Sequence, residues 1–471
     1  MRNKSFSKNI LVVGFSRVIS LLASVATGLL IPKMFSVADY GYFKVFTLYA
    51  VYTALLHFGF VDGILLKLAG KNYSELDRAR MTSYTGFFIL FEVLISLTMI
   101  VVGVFFASGE YLFIIIMLAV NMVLVNVTTY YQFISQATQR FIEYSAKSVI
   151  ASLAKLILVG ALFAAYFFNV FEVSYRTYVV GVNSLDLIMM LWYVLIYRDI
   201  TFGKRLQLSL LKRDILGIFK TGIVLTAAYQ VSHLVLALDR QFVNVLFTTE
   251  EFAVYSFAYN IVSMVSTVVS SLAVVLLPML KKVDPKQMPA SYQKSITVVS
   301  VIVGGSLLCY FPLIPFIEWF LPNYTDSLEY IRIVMPTLLF TAGTTVVMFT
   351  VDKVLDMNMA FFKNSCIVLA LGLITNAAAY ATFRTPQSIS YASLLVMAIW
   401  FLIEGIRLGR HINVSIIREF VYLVFLTTGF LATTALIGSP LGGGLIYGGF
   451  FMAVTTLMFG RILLGERKTG I

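Results

Sequence analysis

Apolar runs long enough to cross a bilayer recur along almost the whole chain, and no other feature limits the fold so strongly. A spanning helix needs about 20 mostly apolar residues. Partition of the 471 residues at that length gives about 14 such runs, starting near residues 10, 42, 84, 111, 148, 177, 221, 251, 296, 331, 364, 388, 419 and 444. Composition agrees, since 59% of residues are hydrophobic and 12% charged, against about 45–50% and 25% in soluble domains. The expected fold is an all-α polytopic membrane protein. The first run, about Ile10 to Ile31, is longer than the roughly 7–15-residue core of a cleaved signal and reads as a span. No stretch reads as a separate soluble domain.

Basic residues stay on the cytoplasmic side of membrane helices. With the N-terminus inside, 27 of the 35 Lys and Arg residues fall in cytoplasmic segments and 4 in outer loops. Both termini are therefore expected in the cytoplasm. The net charge of +12 is then a topology signal, and no nucleic-acid partner is needed to explain it.

A short turn is written twice, as FSVADYGYF at residues 35–43 and FTTEEFAVY at residues 247–255, an offset of 212. Ser36-x-x-Asp39 and Thr248-x-x-Glu251 each read as a capping box before an apolar run. At the same offset the basic loop 67–83 falls on the basic loop 279–295. Cap, span, basic loop and next span recur in register, which predicts two six-helix lobes in parallel orientation. The predicted organisation is an N-terminal lobe over 1–199, a linker over 200–220, a second lobe over 221–406 and two further helices over 407–471. In the linker, Leu208, Leu211, Ile215 and Phe219 share one helical face, with Lys204, Arg205, Lys212 and Arg213 elsewhere. That pattern suits an interfacial helix on an anionic leaflet.

Two parallel lobes around a central path suggest a transporter rather than an enzyme. The longest outer loop, Asp239 to Glu250, has no room for the acceptor site of a membrane glycosyltransferase or polymerase. The chain has no GxxxxGK, HExxH or GxSxG motif. Cys309 and Cys366 both lie in apolar runs, so neither a disulfide framework nor a thiolate metal site is expected. No cofactor is implied.

The stretches FSVADYGYFKVF, HFGFVDGILLKLAGKNYSELD, KTGIVLTAAYQVSHLVLALDRQFVNVLFTTEEFAVYSFAYNI and FIEWFLPNYTDSLEYIRIVMPTLLF resemble those of the Wzx-type polysaccharide flippases. These belong to the multidrug/oligosaccharidyl-lipid/polysaccharide exporter superfamily, with the drug/cation antiporters and the peptidoglycan-precursor flippases. The likeness covers roughly residues 5–380 and consists of turn patterns and helix ends. It implies a V-shaped pair of lobes around an alternately opening cavity. The implied substrate is an undecaprenyl-pyrophosphate-linked oligosaccharide, moved from the cytoplasmic to the outer leaflet of a bacterial or archaeal plasma membrane. Anionic lipids and the polysaccharide polymerase machinery are the other expected partners.

A pyrophosphate crossing a low-dielectric layer needs cations inside the spans. Arg17 lies about seven residues, roughly 10 Å, from the cytoplasmic start of the first span, and Lys155 sits at a similar depth in the fifth. Glu92 is nearly level with them and either pairs with one of them or binds a coupling ion, H+ or Na+. Asp62, Asp186 and Asp239 are further ion candidates, and Asp186, beside Asn183 and Ser184 near mid-span, is the best of them. Lys44 and Arg240, near outer helix ends, are candidate exit-side contacts. Asp239 is a candidate partner for Arg240, and His57 and His233 read as hydrogen-bonded interior residues. A drug/cation antiporter and a peptidoglycan-precursor (lipid II) flippase remain as rival readings.

Overall fold

A computed structural model describes residues 21–463. All regular structure among them is helical. Eleven helices are long and apolar enough to span a membrane, or up to 13 spans when each of two bent helix pairs counts as one. A shorter apolar helix, Leu21–Met34 (α1), occupies the described part of the first expected run. The protein is thus an all-α, multi-pass membrane protein, because within lipid a helix satisfies its own backbone hydrogen bonds. It divides into two compact units, Met1–Gln230 and Val231–Ile471.

In the first unit α1 leads to α2 (Val37–Thr53), α3 (Phe60–Leu68), α4 (Arg78–Phe106), α5 (Gly109–Ala137), α6 (Phe141–Phe167), α7 (Tyr175–Ile196), the one-turn α8 (Arg198–Thr201) and the start of α9 (Leu208–Leu246). Its core is aromatic. Phe60 stacks on Phe88 with ring centroids 5.1 Å apart, Phe88 on Tyr130 at 5.2 Å, and Tyr131 on Tyr197 at 5.6 Å. Three buried tyrosine hydroxyls of this core are paired, Tyr130 with Thr85 at 2.9 Å, Tyr131 with Thr201 at 2.8 Å and Tyr197 with Ser135 at 2.7 Å. Such pairing removes the desolvation cost that a buried hydroxyl otherwise carries.

α2 and α3 form one broken span with a 57° bend. Phe58 and Gly59 at the break both lie in the left-handed region, with φ of 46° and 85°. Gly59 is required there twice over. A positive φ disfavours side chains, and a Cβ would come within 2.2 Å of the Ile223 backbone nitrogen on α9. A Cβ on Gly222 would in turn lie 1.8 Å from the Gly59 carbonyl oxygen. α3 and α9 therefore meet backbone to backbone, the close approach that small residues allow between membrane helices.

The amphipathic segment does not present its apolar face to lipid. Leu211, Ile215 and Ile218 are buried in the aromatic core, and Phe219 packs against it. Asp214 reinforces the docking, with Lys67 and Arg80 each 3.5 Å away and the Tyr84 hydroxyl donating to it at 2.9 Å. Lys212 and Arg213 remain exposed.

The second unit holds α10 (Thr249–Leu280), α11 (Met288–Ser306), α12 (Tyr310–Phe320), α13 (Ser327–Val334), α14 (Thr337–Ala342), α15 (Phe349–Val354), α16 (Asn358–Phe383), α17 (Pro386–Ile412), α18 (Ile417–Leu436) and α19 (Pro440–Leu463). The repeated turn starts α2 in one unit and α10 in the other. Asp39 N–H donates to Ser36 Oγ at 3.1 Å, and Glu251 N–H to Thr248 Oγ1 at 3.2 Å. The second turn adds the return bond, Thr248 N–H to Glu251 Oε2 at 2.9 Å, which the longer glutamate can reach. Equivalent positions are buried in both units: Tyr40 and Phe43 in the first, Phe252 and Tyr255 in the second.

α13 to α15 make one span, Ser327–Val354, whose middle is the π-helical turn Gly343–Met348. Gly343 permits the packing there, since a Cβ would lie 2.5 Å from the Phe401 ring. The last two helices are fixed to the unit by polar bonds as well as by aromatic packing. Tyr447 donates to the Gly304 carbonyl at 3.1 Å, and Tyr422 pairs with Thr455 at 2.8 Å.

Candidate functional site

Polar side chains inside the spans gather into a few nodes. In the first unit Glu92 of α4 is fully buried, and the Asn126 amide of α5 donates to its Oε2 at 3.0 Å. The same amide donates to the Thr53 carbonyl at 3.3 Å, at the end of α2. Glu92 Oε1 has no partner among the described residues.

Lys155 of α6 is half-buried. Among the described residues it makes no ion pair or hydrogen bond, so Glu92 and Lys155 are not brought together. Arg17, the other expected partner, lies outside the described residues.

Asp186 belongs to an amide node between α5 and α7. The Asn121 amide donates to Asn183 Oδ1 at 2.8 Å and to Asp186 Oδ2 at 3.3 Å, and Asn183 donates to the Met117 carbonyl at 3.1 Å. Asn121 and Asn126 escaped sequence reasoning because neither carries a charge. The signal was their presence, five residues apart, inside an otherwise apolar run.

His57 accepts a hydrogen bond from Gly59 N–H through Nδ1 at 3.0 Å, so it is an interior residue that shapes the break. His233, by contrast, is exposed on α9.

Lys44 is half-buried, and its ammonium lies 5.0 Å from the Tyr40 ring centroid and 5.3 Å from that of Phe43, both on its own helix. In the second unit Asp239 is buried and accepts from Tyr255 at 2.9 Å and from Tyr259. The Arg240 guanidinium donates to the Leu236 carbonyl at 3.1 Å and lies 4.8 Å from the Tyr259 ring centroid. The expected Asp239–Arg240 side-chain ion pair does not form; the arginine's backbone N–H reaches the carboxylate instead, donating to Oδ1 at 2.7 Å.

The fold, an all-helical array of membrane spans, is similar to that of several membrane transporters of known structure. Among solved structures the chain is similar to the lipid II flippase MurJ in an inward closed conformation, with a TM-score of 0.67 and 13% identity over 97% of this chain and 99% of that one. It is also similar to a MATE family multidrug resistance transporter in an outward-facing conformation, with a TM-score of 0.53 and 11% identity over 86% and 96%. A mutant of the Vibrio cholerae MATE transporter VcmN gives a TM-score of 0.55 and 14% identity over 87% and 98%. These are likenesses of fold. No family model and no curated protein matches the sequence. The structural neighbours are transporters and flippases, not enzymes.

Proposed function

We propose that this protein is a flippase that moves undecaprenyl-pyrophosphate-linked oligosaccharide repeat units from the cytoplasmic to the outer leaflet by alternating access, for surface polysaccharide biosynthesis. The observation that carries the reading is Lys155. It is a half-buried cation in a span without an ion pair among the described residues, while the buried acid at a similar expected depth is held by Asn126 instead. An ionisable group inside a membrane is costly and persists where it serves an aqueous path or a charged ligand. A pyrophosphate is the complementary ligand, and Arg17 would add a second cation at the same depth. The protein would lie in a bacterial or archaeal plasma membrane with both termini in the cytoplasm. Deleting the gene should leave lipid-linked repeat units facing the cytoplasm and abolish one surface glycan, with efflux of cationic dyes unchanged. Normal glycan with lost dye efflux would overturn the reading in favour of a drug antiporter.

A second reading, a lipid II flippase, is favoured by one observation. The likeness to MurJ covers 97% of this chain, whereas the two MATE likenesses above cover 86% and 87%. It predicts loss of viability with accumulated peptidoglycan precursor on deletion.

A further inference from the structure

At one end of the second unit three carboxylates are fully buried: Asp352 on α15, Glu404 on α17 and Glu419 in the first turn of α18. One guanidinium serves two of them. Arg407 Nη2 donates to Asp352 Oδ2 at 2.5 Å and to Glu404 Oε2 at 2.7 Å, and its Nε donates to the same glutamate oxygen at 2.9 Å. Arg418, which is more exposed, donates to Glu419 Oε1 at 2.9 Å.

The rest of the cluster is unsatisfied. Asp352 Oδ1, Glu404 Oε1, Glu419 Oε2 and Arg407 Nη1 are buried without partners among the described residues. The same holds for the hydroxyl of Tyr292, a fully buried side chain on α11. That tyrosine lies within electrostatic reach of Asp352, Glu404, Arg407 and Glu419. Asn364 of α16 lies beside Glu404, and His411 in the last turn of α17 is within electrostatic reach of Asp352. Lys353, the remaining nearby cation on α15, lies over the Phe349 ring at 4.0 Å from its centroid.

The charges do not balance. Arg418 is committed to Glu419, so Asp352 and Glu404 are left with one positive charge between them. A buried carboxylate without its own counter-charge is expensive, and so is a carboxylate oxygen without a donor. A single proton cures both faults, because it neutralises one acid and turns a partnerless acceptor into a donor. A metal ion would need converging ligands, and among the described residues no three acidic, histidine or cysteine side chains converge in that way.

A cavity lies close to the cluster. Its volume is about 560 Å³, and its lining includes Lys281, Met288, Leu355, His411 and Asn413. His411 is thus shared between the cavity wall and the buried acids. An imidazole can take a proton at one nitrogen and release it from the other.

We propose that Asp352 and Glu404 form a proton-binding site of the second unit, with Arg407 holding the pair and His411 as the entry from the cavity. Its occupancy changes the charge at a junction of α11, α15, α17 and α18. The site does not depend on the identity of the transported molecule.

The test uses the full-length protein reconstituted in lipid and compared by infrared difference spectroscopy between acidic and alkaline buffer. A protonated-carboxyl band that titrates should appear in the wild type and be lost in Glu404→Gln or in Asp352→Asn. His411→Ala should slow its appearance after a pH jump severalfold while leaving its final size unchanged. Tyr292→Phe, which removes only one hydroxyl, should shift the band and serves if the acid variants do not fold. A band that survives both acid substitutions, or one that is unshifted in Tyr292→Phe, overturns the proposal. Displacement of the band by sodium at constant pH overturns it as well, in favour of a metal-cation site.

Discussion

Asn126 holds Glu92 at 3.0 Å across α4 and α5, and the same amide reaches the Thr53 carbonyl at 3.3 Å where the second span breaks. One side chain thus secures a buried acid and a helix end together. The acid does not depend on Lys155 for this. Residues that share no contact contribute to stability additively. Lys155→Met and Glu92→Gln should therefore show an interaction energy within about 0.5 kcal/mol in a double-mutant cycle read by thermal unfolding in detergent. A coupling of several kcal/mol would mean that the two side chains form an internal strut. Asn126→Leu should cost about 1–3 kcal/mol, because it strands the buried carboxylate.

The break at Gly59 makes a second expectation. Gly59→Ala adds a Cβ within 2.2 Å of backbone on α9 at a positive φ. It should cost about 3 kcal/mol or more and lower the yield of folded protein. Gly70 shares the positive φ, at 82°, but has open space around it. Gly70→Ala should cost about 1–2 kcal/mol, and equal losses at the two sites would contradict the backbone-to-backbone seam.

The repeated turn should tolerate loss of its caps unequally. Ser36→Ala removes one forward bond and should cost about 1 kcal/mol. Thr248→Ala also removes the anchor that orients Glu251 for its return bond, so its Tm should fall further. A larger fall for Ser36→Ala would count against the two turns being built as described.

The charge bias of the loops predicts topology. Ser108 and Ser209 are both exposed and lie at opposite ends of the expected spans. In permeabilised-envelope cells with an intact inner membrane, an impermeant thiol reagent should label Ser108→Cys and spare Ser209→Cys. The reverse pattern would invert the assignment of both termini and the direction of transport.

What the sequence revealed and what it hid follow one physical rule. Ser36 and Thr248 act within three residues of themselves, so their caps could be read directly. The helix break could not, because only Gly59 marks it, and the partner that forces it, Ile223, lies far along the chain. The apolar face of Leu211 and Ile215 was plain from periodicity, yet periodicity does not say whether lipid or protein covers a face. Glu404 and Arg407 stand three residues apart on α17, a spacing that allows the ion pair seen. The third member, Asp352, lies on a separate helix, so only the fold brings the three together.

The central claim is that Lys155, a cation without an ion pair among the described residues, serves an anionic lipid-linked substrate, and translocation in a defined membrane tests it most directly. Proteoliposomes would carry purified protein and a fluorescent undecaprenyl-pyrophosphate oligosaccharide, with leaflet exposure read by a membrane-impermeant quencher. The wild type should move the lipid between leaflets. Lys155→Arg should retain most of that rate, and Lys155→Met, folded with an unchanged Tm, should lose at least about tenfold. A wild-type protein that leaves the lipid in place, or a stable Lys155→Met variant as fast as the wild type, would contradict the account.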